Sequence, residues 1–173
     1  RILRSHGMVR ESGDVNFEKK MIKKYPKLSP KFIFLYPGYN VRNTELGAVI
    51  GRSQLKFLNE NNEKRKHNHE VFLRHLNDKR FRIDFELEGS CNYAFNVILN
   101  EPDNELRYRL EKTLDEAGVE YRRGSSGGGN QIRQPYLVGV VEAGECENYP
   151  QAEQIHFFGW YIGNFPELEE SSI

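Results

Sequence analysis

Residues 38–55 read GYNVRNTELGAVIGRSQL, a turn followed by the start of a helix. Asn43 or Thr44 is suited to cap a helix that begins near Glu45, because their side chains accept hydrogen bonds from free backbone N–H groups. Leu46, Val49 and Ile50 then recur at helical spacing, which predicts one apolar face. Gly47 and Gly51 are four residues apart, and glycine there indicates a neighbour that must come close.

The residues just before this helix contain an amide, Asn40, and a guanidinium, Arg42. Backbone N–H groups and the helix dipole attract anions at a helix start, and an arginine adds a two-pronged donor. A phosphate site is therefore one interpretation of the stretch. On the residues alone, a turn with a surface arginine is the simpler one.

Helical and strand-like patterns alternate along the rest of the chain, which favours an α/β fold with helices packed on a small mixed sheet. One helix has a clear cap in Asp103 and a stop in Gly118. Besides the helix at Glu45, helices are predicted for residues 60–77, 103–117 and 150–158, and a further one starts near Pro166. Residues 11–31 are an irregular loop or contain a short helix around residues 16–24. Residues 31–36 are a buried strand or an extended segment, and the other strand-like stretches are residues 81–89, 93–99, 119–123 and 160–163.

Composition sets limits on the partners of this chain. It has 173 residues with 25 basic and 25 acidic side chains, so its formal net charge is zero. This balance gives no electrostatic reason to expect a nucleic acid or an anionic membrane as partner. No apolar run approaches the ~20 residues that span a bilayer. Cys91 and Cys146 form no metal-type pair and fit free thiols in the cytoplasm.

Residues 124–135, GSSGGGNQIRQP, begin as a flexible linker would and end differently. Glycines allow a backbone to approach a ligand and to present N–H groups to an anion. No strand and helix of a dinucleotide-binding motif surround them. Asn130, Arg133, Gln134 and Pro135 are not typical of linkers, so a binding loop is the alternative.

Histidines occur in two places, and neither predicts a metal site. His6 in RSHG is more simply a hydrogen-bonded loop residue than a general acid or base. His67, His69 and His75 lie on a predicted helix, where metal ligands prefer a spacing of three or four residues. The spacing of His67 and His69 instead favours a solvated, basic face.

Several of these stretches together resemble one family, the DegT/StrS sugar-nucleotide aminotransferases, which use pyridoxal phosphate (PLP). The family pattern runs roughly R-x-H-G, then G-(Y/F)-N-x-R-x-(T/S)-(E/D), then a helix that ends in Gln-Leu. The chain matches it at Arg4, His6, Gly7, Gly38, Tyr39, Asn40, Arg42, Thr44, Glu45, Leu46, Gln54 and Leu55.

Two further stretches are similar to the branch of this family that removes the C3 hydroxyl of nucleotide-linked 4-keto-6-deoxy sugars. They are RRGSSGGGNQIRQPYL and FFGWYIGN. The resemblance implies a 3-dehydrase of deoxysugar and lipopolysaccharide O-antigen biosynthesis. A sugar-nucleotide aminotransferase of the perosamine-synthase type is the alternative. An alternative of another class is a stand-alone α/β module that binds a nucleotide or phosphate.

The resemblance also implies roles for particular residues. Asn40 and Arg42 would hold the phosphate of PLP or pyridoxamine phosphate (PMP) in the partner subunit of a homodimer with a shared site. Asn130 and Arg133 would line the pocket for the nucleotide-linked sugar. His6 is a candidate catalytic residue near the cofactor or the sugar.

The family's lysine that anchors the cofactor, or the histidine that replaces it, precedes R-x-H-G. The resemblance therefore implies a C-terminal portion that is cut at both ends and is inactive alone. Residues 1–45 would be the tail of the large cofactor-binding domain, and residues 46–173 would be the small domain of a PLP fold-type I enzyme.

Overall fold

The computed structural model describes residues 1–41, 43–124 and 128–173. These residues form two compact units, and each unit is built from two segments of the chain. Unit 1 comprises residues 1–43 and 123–157, and unit 2 comprises residues 44–122 and 158–173. The helices are α1 Val15–Lys24, α2 Glu45–Gln54, α3 Leu58–His75, α4 Asn104–Glu116 and α5 Pro150–Phe158. The strands are β1 Ala94–Ile98, β2 Tyr121–Arg123 and β3 Gly159–Gly163.

Unit 1 has a small apolar core beneath α1. Asp14 caps this helix, since its carboxylate accepts hydrogen bonds from the backbone N–H groups of Asn16 and Phe17. Met21 on the buried side of α1 packs in one cluster with Val9, Leu28 and Ile33. Residues 31–36 are extended and buried at Phe32 and Ile33, with an isolated bridge between Met8 and Phe34. Of the two predicted forms, strand or extended segment, the structure shows the second.

Unit 2 contains most of the sheet, whose strand order is β1-β3-β2. β1 and β3 run antiparallel, with Phe95 opposite Ile162 and Val97 opposite Trp160. The ring of Trp160 is fully buried, and its Nε1 donates to the Glu111 carboxylate on α4 at 2.9 Å. The predicted α/β class with helices on a small sheet is thereby confirmed.

The cap and the stop predicted for α4 are both present. The Asp103 carboxylate accepts a hydrogen bond from the Leu106 N–H at 2.9 Å. Gly118 follows the helix with φ +68°, the left-handed conformation that glycine adopts without strain. Local sequence is sufficient for this helix because its cap, its apolar spacing and its stop agree.

α3 differs from the solvated helix that the sequence predicts. His69 is only 3% exposed, and Asn68 and Val71 beside it are also buried. The Asn68 amide donates to the Asn164 side chain and to the Phe165 carbonyl, at 3.2 and 2.9 Å. The prediction of a solvated face is wrong for His69, because hydrogen bonds and ring stacking, rather than an apolar stripe, bury this side of α3.

α2 is confirmed as a helix capped by Thr44, whose Oγ1 accepts from the Gly47 N–H at 3.4 Å. Its apolar side chains, however, point to solvent: Leu46 is 76% exposed. A Cβ added at Gly51 would meet nothing within 4 Å. The close neighbour expected for Gly51 is therefore not among the described residues.

Two predicted elements are wrong. Residues 81–89 contain an isolated bridge between Phe81 and Leu99 but no strand. The segment after Pro166 contains turns and a short 3-10 helix, Glu170–Ser172, where a longer helix is predicted. Leu168 is the only apolar residue there before Ile173, too little to offset the cost of starting a helix.

The two compact units divide the chain at positions that differ from the predicted domain boundary. Residues 123–157 belong to unit 1 together with residues 1–43, whereas the sequence reading groups them with the small domain. The assignment of residues 1–45 and 46–173 to large and small domains stays a prediction.

Within the described part of the chain, every helix is too short or too polar to cross a membrane.

Candidate functional site

The two stretches RSHG and GYN are hydrogen-bonded to each other in unit 1. Ser5 and Asn40 form an antiparallel bridge. The His6 N–H donates to the Tyr39 carbonyl at 2.9 Å, and the Tyr39 N–H donates to the Leu3 carbonyl at 2.8 Å. Residues more than thirty positions apart in the chain thereby form one short ladder, and the Asn40 side chain lies exposed at its end.

His6 lies exposed beside a small pocket and adopts an unusual backbone conformation. Its φ of +58° is in the left-handed region, which is costly for a residue other than glycine. Its ring stands edge-on to Phe34, with centroids 6.5 Å apart. The pocket, here called the His6 pocket, has a volume of about 270 Å³ and is lined by His6, Phe34, Tyr36, Pro37, Gly38, Gln131 and Tyr136.

The glycine-rich loop is packed where the structure describes it. Gly129 has φ +84°, and a Cβ there would lie 2.5 Å from Nδ1 of His156. A Cβ at Gly128 would lie 2.4 Å from Cβ of Phe32. These glycines permit close packing, so the linker interpretation is wrong for residues 128–135. Ser125, Ser126 and Gly127 lie outside the described residues.

Asn130 is buried within this loop, and its backbone N–H and both polar atoms of its side chain form hydrogen bonds. Its Nδ2 donates to Oε1 of Glu153 at 2.8 Å, and its Oδ1 accepts from the Ile132 N–H at 3.0 Å. Its backbone N–H donates to Nδ1 of His156 at 3.1 Å. The geometry therefore shows Asn130 connecting the loop to α5.

Arg133 forms an ion pair with Glu153 on α5. Its Nε donates to Oε1 at 2.7 Å, its Nη2 donates to Oε2, and both side chains are 17% exposed. Its guanidinium also lies 5.0 Å from the ring centroid of Phe157. Burial alone would raise the pKa of the Glu153 carboxyl, but the hydrogen bonds from Arg133 and Asn130 outweigh burial and lower this pKa.

His156 joins the loop to the segment after α1. Its Nδ1 accepts from Asn130, so Nε2 carries the proton and donates to the Lys27 carbonyl at 2.9 Å. The neutral ring thus satisfies both of its nitrogens. Burial lowers the pKa of His156, and the positive charge of Arg133 acts in the same direction.

The structure brings the sequence-predicted residues into two groups. His6 and Asn40 lie on one ladder, and Asn130 and Arg133 meet on Glu153. Arg42 lies outside the described residues. Sequence reasoning missed Glu153, His156 and Gln134 as organising residues. Gln134 could have been identified, because it lies in the loop whose residues are not typical of linkers. Glu153 and His156 lie on a helix, and their local sequence gives no indication of a role.

One family model matches residues 1–170 of this chain. That model describes the DegT/DnrJ/EryC1/StrS aminotransferase family. The chain belongs to this family. The matched range includes RSHG, GYN and the glycine-rich loop.

Curated members of the DegT/DnrJ/EryC1/StrS family match most of the chain. A GDP-4-keto-6-deoxy-D-mannose 3-dehydratase of Yersinia pseudotuberculosis is 31% identical over 164 residues, 94% of this chain and 41% of the relative. The protein of the same name from Escherichia coli O55:H7 is 29% identical over 167 residues, with the same two shares. The chain thus spans about two fifths of the length of these relatives.

Solved structures of full-length enzymes show the same fold. E. coli GDP-4-keto-6-deoxy-D-mannose-3-dehydratase with bound hydrated PLP is 26% identical with a TM-score of 0.60, covering 95% of this chain and 42% of that one. The PMP form of a putative sugar aminotransferase, Spr1654 from Streptococcus pneumoniae, has a TM-score of 0.61 at 16% identity, covering 99% and 40%. The second likeness concerns the fold alone.

Proposed function

We propose that this chain is part of a PLP- or PMP-dependent nucleotide-sugar 3-dehydratase whose substrate is a GDP-linked 4-keto-6-deoxy sugar. The observation that carries the proposal is the similarity to two GDP-4-keto-6-deoxy-D-mannose 3-dehydratases over 94% of the chain. A third relative, the lipopolysaccharide biosynthesis protein RfbH of Salmonella typhimurium, is 30% identical over 144 residues. It covers 80% of the chain and 32% of the relative, and its name supports a role in lipopolysaccharide biosynthesis. We propose that this role is cytoplasmic.

The donors of unit 1 fit the phosphate of the cofactor. Asn40 offers an exposed amide at the end of a hydrogen-bonded ladder, and amide N–H groups suit phosphate oxygens. We infer that Asn40 and Arg42 bind this phosphate in a partner subunit. When bound, the cofactor supplies the electron sink for removal of the C3 hydroxyl. We infer that the anchoring lysine or histidine lies in the part of the family fold that this chain does not span, since the chain covers about two fifths of its curated relatives.

The His6 pocket is the proposed place for part of the sugar nucleotide. Phe34, Tyr36 and Tyr136 offer ring faces, and His6 and Gln131 offer polar groups for hydroxyls or carbonyls. Asn130 and Arg133 do not line this pocket, but they hold the adjoining loop against Glu153 and so support the same substrate by positioning that loop. Nε and Nη2 of Arg133 donate to Glu153, and we infer that its Nη1 meets a diphosphate oxygen.

The exposed apolar side of α2 supports the homodimer. Leu46, Val49 and Ile50 are each more than 60% exposed, and an isolated helix of ten residues is marginal in water. A second copy that covers this face would stabilise it. Sedimentation equilibrium should give a dimer for the full protein, and Ile50→Glu should weaken it. A monomer at micromolar concentration would contradict the homodimer.

The decisive experiment uses the full reading frame that contains residues 1–173. The protein is incubated with GDP-4-keto-6-deoxymannose and either PMP or PLP plus an amino acid as amino donor, and the sugar is followed by NMR and mass spectrometry. Loss of the C3 oxygen is the expected result. An amino sugar as product would instead show an aminotransferase. Tight binding of GDP with neither product would favour the stand-alone nucleotide-binding module.

Residue roles are tested in the same protein. Asn40→Ala should lower the affinity for PLP, measured by cofactor absorbance, while Asn43→Ala serves as a nearby control. Unchanged PLP affinity in Asn40→Ala would remove its role at the phosphate. His6→Asn should lower turnover while PLP affinity is retained, and equal turnover would remove His6 from the catalytic group.

A further inference from the structure

The side chain of Gln134 is fully buried and is bonded at both ends to a distant segment of unit 1. Its Oε1 accepts a hydrogen bond from the Phe34 N–H at 2.9 Å. Its Nε2 donates to the Phe32 carbonyl at 3.0 Å. A single amide group thus satisfies the backbone of two residues about one hundred positions earlier in the chain.

The Gln134 side chain makes hydrogen bonds to residues 32–35 of the kind that a neighbouring β-strand would make. The extended segment 32–35 directs alternate backbone groups to opposite sides. On one side, the Ile33 carbonyl accepts from the Val9 N–H and the Leu35 N–H donates to the Gly7 carbonyl, at 3.0 and 2.9 Å. On the other side, the Phe32 carbonyl and the Phe34 N–H are bonded to the Gln134 side chain, and the Phe34 carbonyl accepts from the Tyr136 N–H at 3.2 Å.

The same bonds set one wall of the His6 pocket. Gln131 and Tyr136 line it from the loop, and Phe34 lines it from the extended segment. The Tyr136 hydroxyl lies 3.4 Å from Oε1 of Gln131. Gln134 stands between these two residues in the chain and does not itself line the pocket. It therefore determines where the Gln131–Tyr136 wall lies relative to Phe34.

We propose that Gln134 is a positioning residue, which holds the Gln131–Tyr136 wall of the His6 pocket in register with Phe34 for substrate binding. This role rests on the proposed function, in which the pocket receives part of the sugar nucleotide. Buried backbone groups that lose their partners are costly, so the loop would shift to satisfy them when Gln134 is removed. A small displacement of a binding wall weakens the fit of the substrate.

Two variants distinguish a positioning role of Gln134 from a general contribution to stability. Gln134→Leu keeps the approximate shape of the side chain and removes both hydrogen bonds. Asn164→Leu is the matched control, because Asn164 is an equally buried amide of unit 2 that donates to the Arg65 and Asn92 carbonyls. Both variants should melt at a lower temperature, so stability alone does not distinguish them.

The first measurement is amide hydrogen exchange on this chain, and it is independent of any activity. Gln134→Leu should increase the exchange rate of the Phe34 and Tyr136 amides by about tenfold or more, whereas Asn164→Leu should leave these two amides unchanged. Equal protection of both amides in Gln134→Leu and the wild type would overturn the positioning role.

The second measurement is steady-state kinetics of the full protein with GDP-4-keto-6-deoxymannose, well below the melting temperatures. Gln134→Leu should raise KM about tenfold and change kcat by less than about threefold. Asn164→Leu should leave KM unchanged. Equal KM changes in both variants would show a general structural effect and overturn the proposal. No turnover in the wild type would reject the proposed function, while hydrogen exchange would still decide the role of Gln134.

A third variant guards against loss of folding. Gln134→Glu keeps the acceptor for the Phe34 N–H, but only its protonated form can donate to the Phe32 carbonyl. Burial raises the pKa of such a carboxyl, so acid should restore the bond within an accessible pH range. The KM of the variant relative to the wild type should fall toward one as pH falls. A ratio that stays constant with pH would contradict the hydrogen-bonded role.

Discussion

Arg133 and Glu153 form a two-pronged ion pair that fastens the loop after Gly129 to α5. The Arg133 Nε lies 2.7 Å from Oε1 of Glu153, and both side chains are 17% exposed. Asn130 donates to the same carboxylate. One glutamate therefore holds both residues that the sequence assigns to the substrate, so these residues depend on Glu153 for their position.

Glu153→Gln should lower the free energy of unfolding by about 3 kcal/mol, because it leaves the Arg133 charge partly buried without its partner. Chemical denaturation followed by circular dichroism measures this change. Glu60→Gln is the control, since the Glu60–Lys64 pair is solvent-exposed and should contribute nothing measurable. Similar stability losses in the two variants would contradict the assignment.

Acid should destabilise the contacts between the loop and α5. The pKa of His156 and that of Glu153 are both lowered in the folded chain. The unfolded chain therefore binds more protons, and stability falls as pH decreases. The loss should begin below about pH 6.5 through His156 and continue below about pH 4.5 through Glu153. Thermal melts from pH 8 to pH 4 measure it, and His156→Gln should reduce the upper part of the dependence, leaving the contribution of His69.

His69→Leu should stabilise the chain in mild acid. His69 is buried against Phe95, and its Nε2 has no hydrogen-bond partner among the described residues. Burial lowers its pKa, so stability is lost as pH falls below the ordinary histidine value. The variant should raise Tm by about 2–4 °C at pH 5.5 and less at pH 7.5. An exposed histidine, His75, gives the control His75→Gln, which should shift neither value.

Two glycine substitutions should change the free energy of unfolding in opposite directions. Gly129→Ala places a Cβ 2.5 Å from His156 at φ +84°, so it should destabilise the chain by more than about 1 kcal/mol. Gly51→Ala adds a methyl group to an open helix position and should stabilise by about 0.5–1 kcal/mol. Urea unfolding of both variants tests this. Destabilisation by Gly51→Ala would mean that the helix face is already covered.

The elements that the sequence predicts correctly have signals within a few residues. Asp103 and Gly118 delimit α4, and Thr44 begins α2, because capping depends on local backbone groups. The elements it predicts wrongly depend on distant partners. His69 becomes buried only because Phe95 and Asn92 reach it from the region around β1.

The candidate site likewise contains some residues that the sequence identifies and others that it does not. The motifs around His6 and Asn40 are identified through their resemblance to the family, because on residue types alone a turn and a hydrogen-bonded loop histidine are the simpler interpretations. Glu153 and Gln134 had no assigned role in the sequence. A glutamate on a helix resembles any surface residue until the loop folds against it.

The sequence by itself determined the family, the chemistry suited to its motifs and the helices that cap themselves. Only the tertiary structure decided that the glycine loop is packed, that Arg133 is held by Glu153 and that Gln134 completes an edge of the extended segment 32–35. The physical reason is the separation along the chain over which each kind of interaction acts. Caps and periodicity act within one or two turns of a helix, whereas buried hydrogen bonds and ion pairs join residues whose separation along the chain carries no local signal.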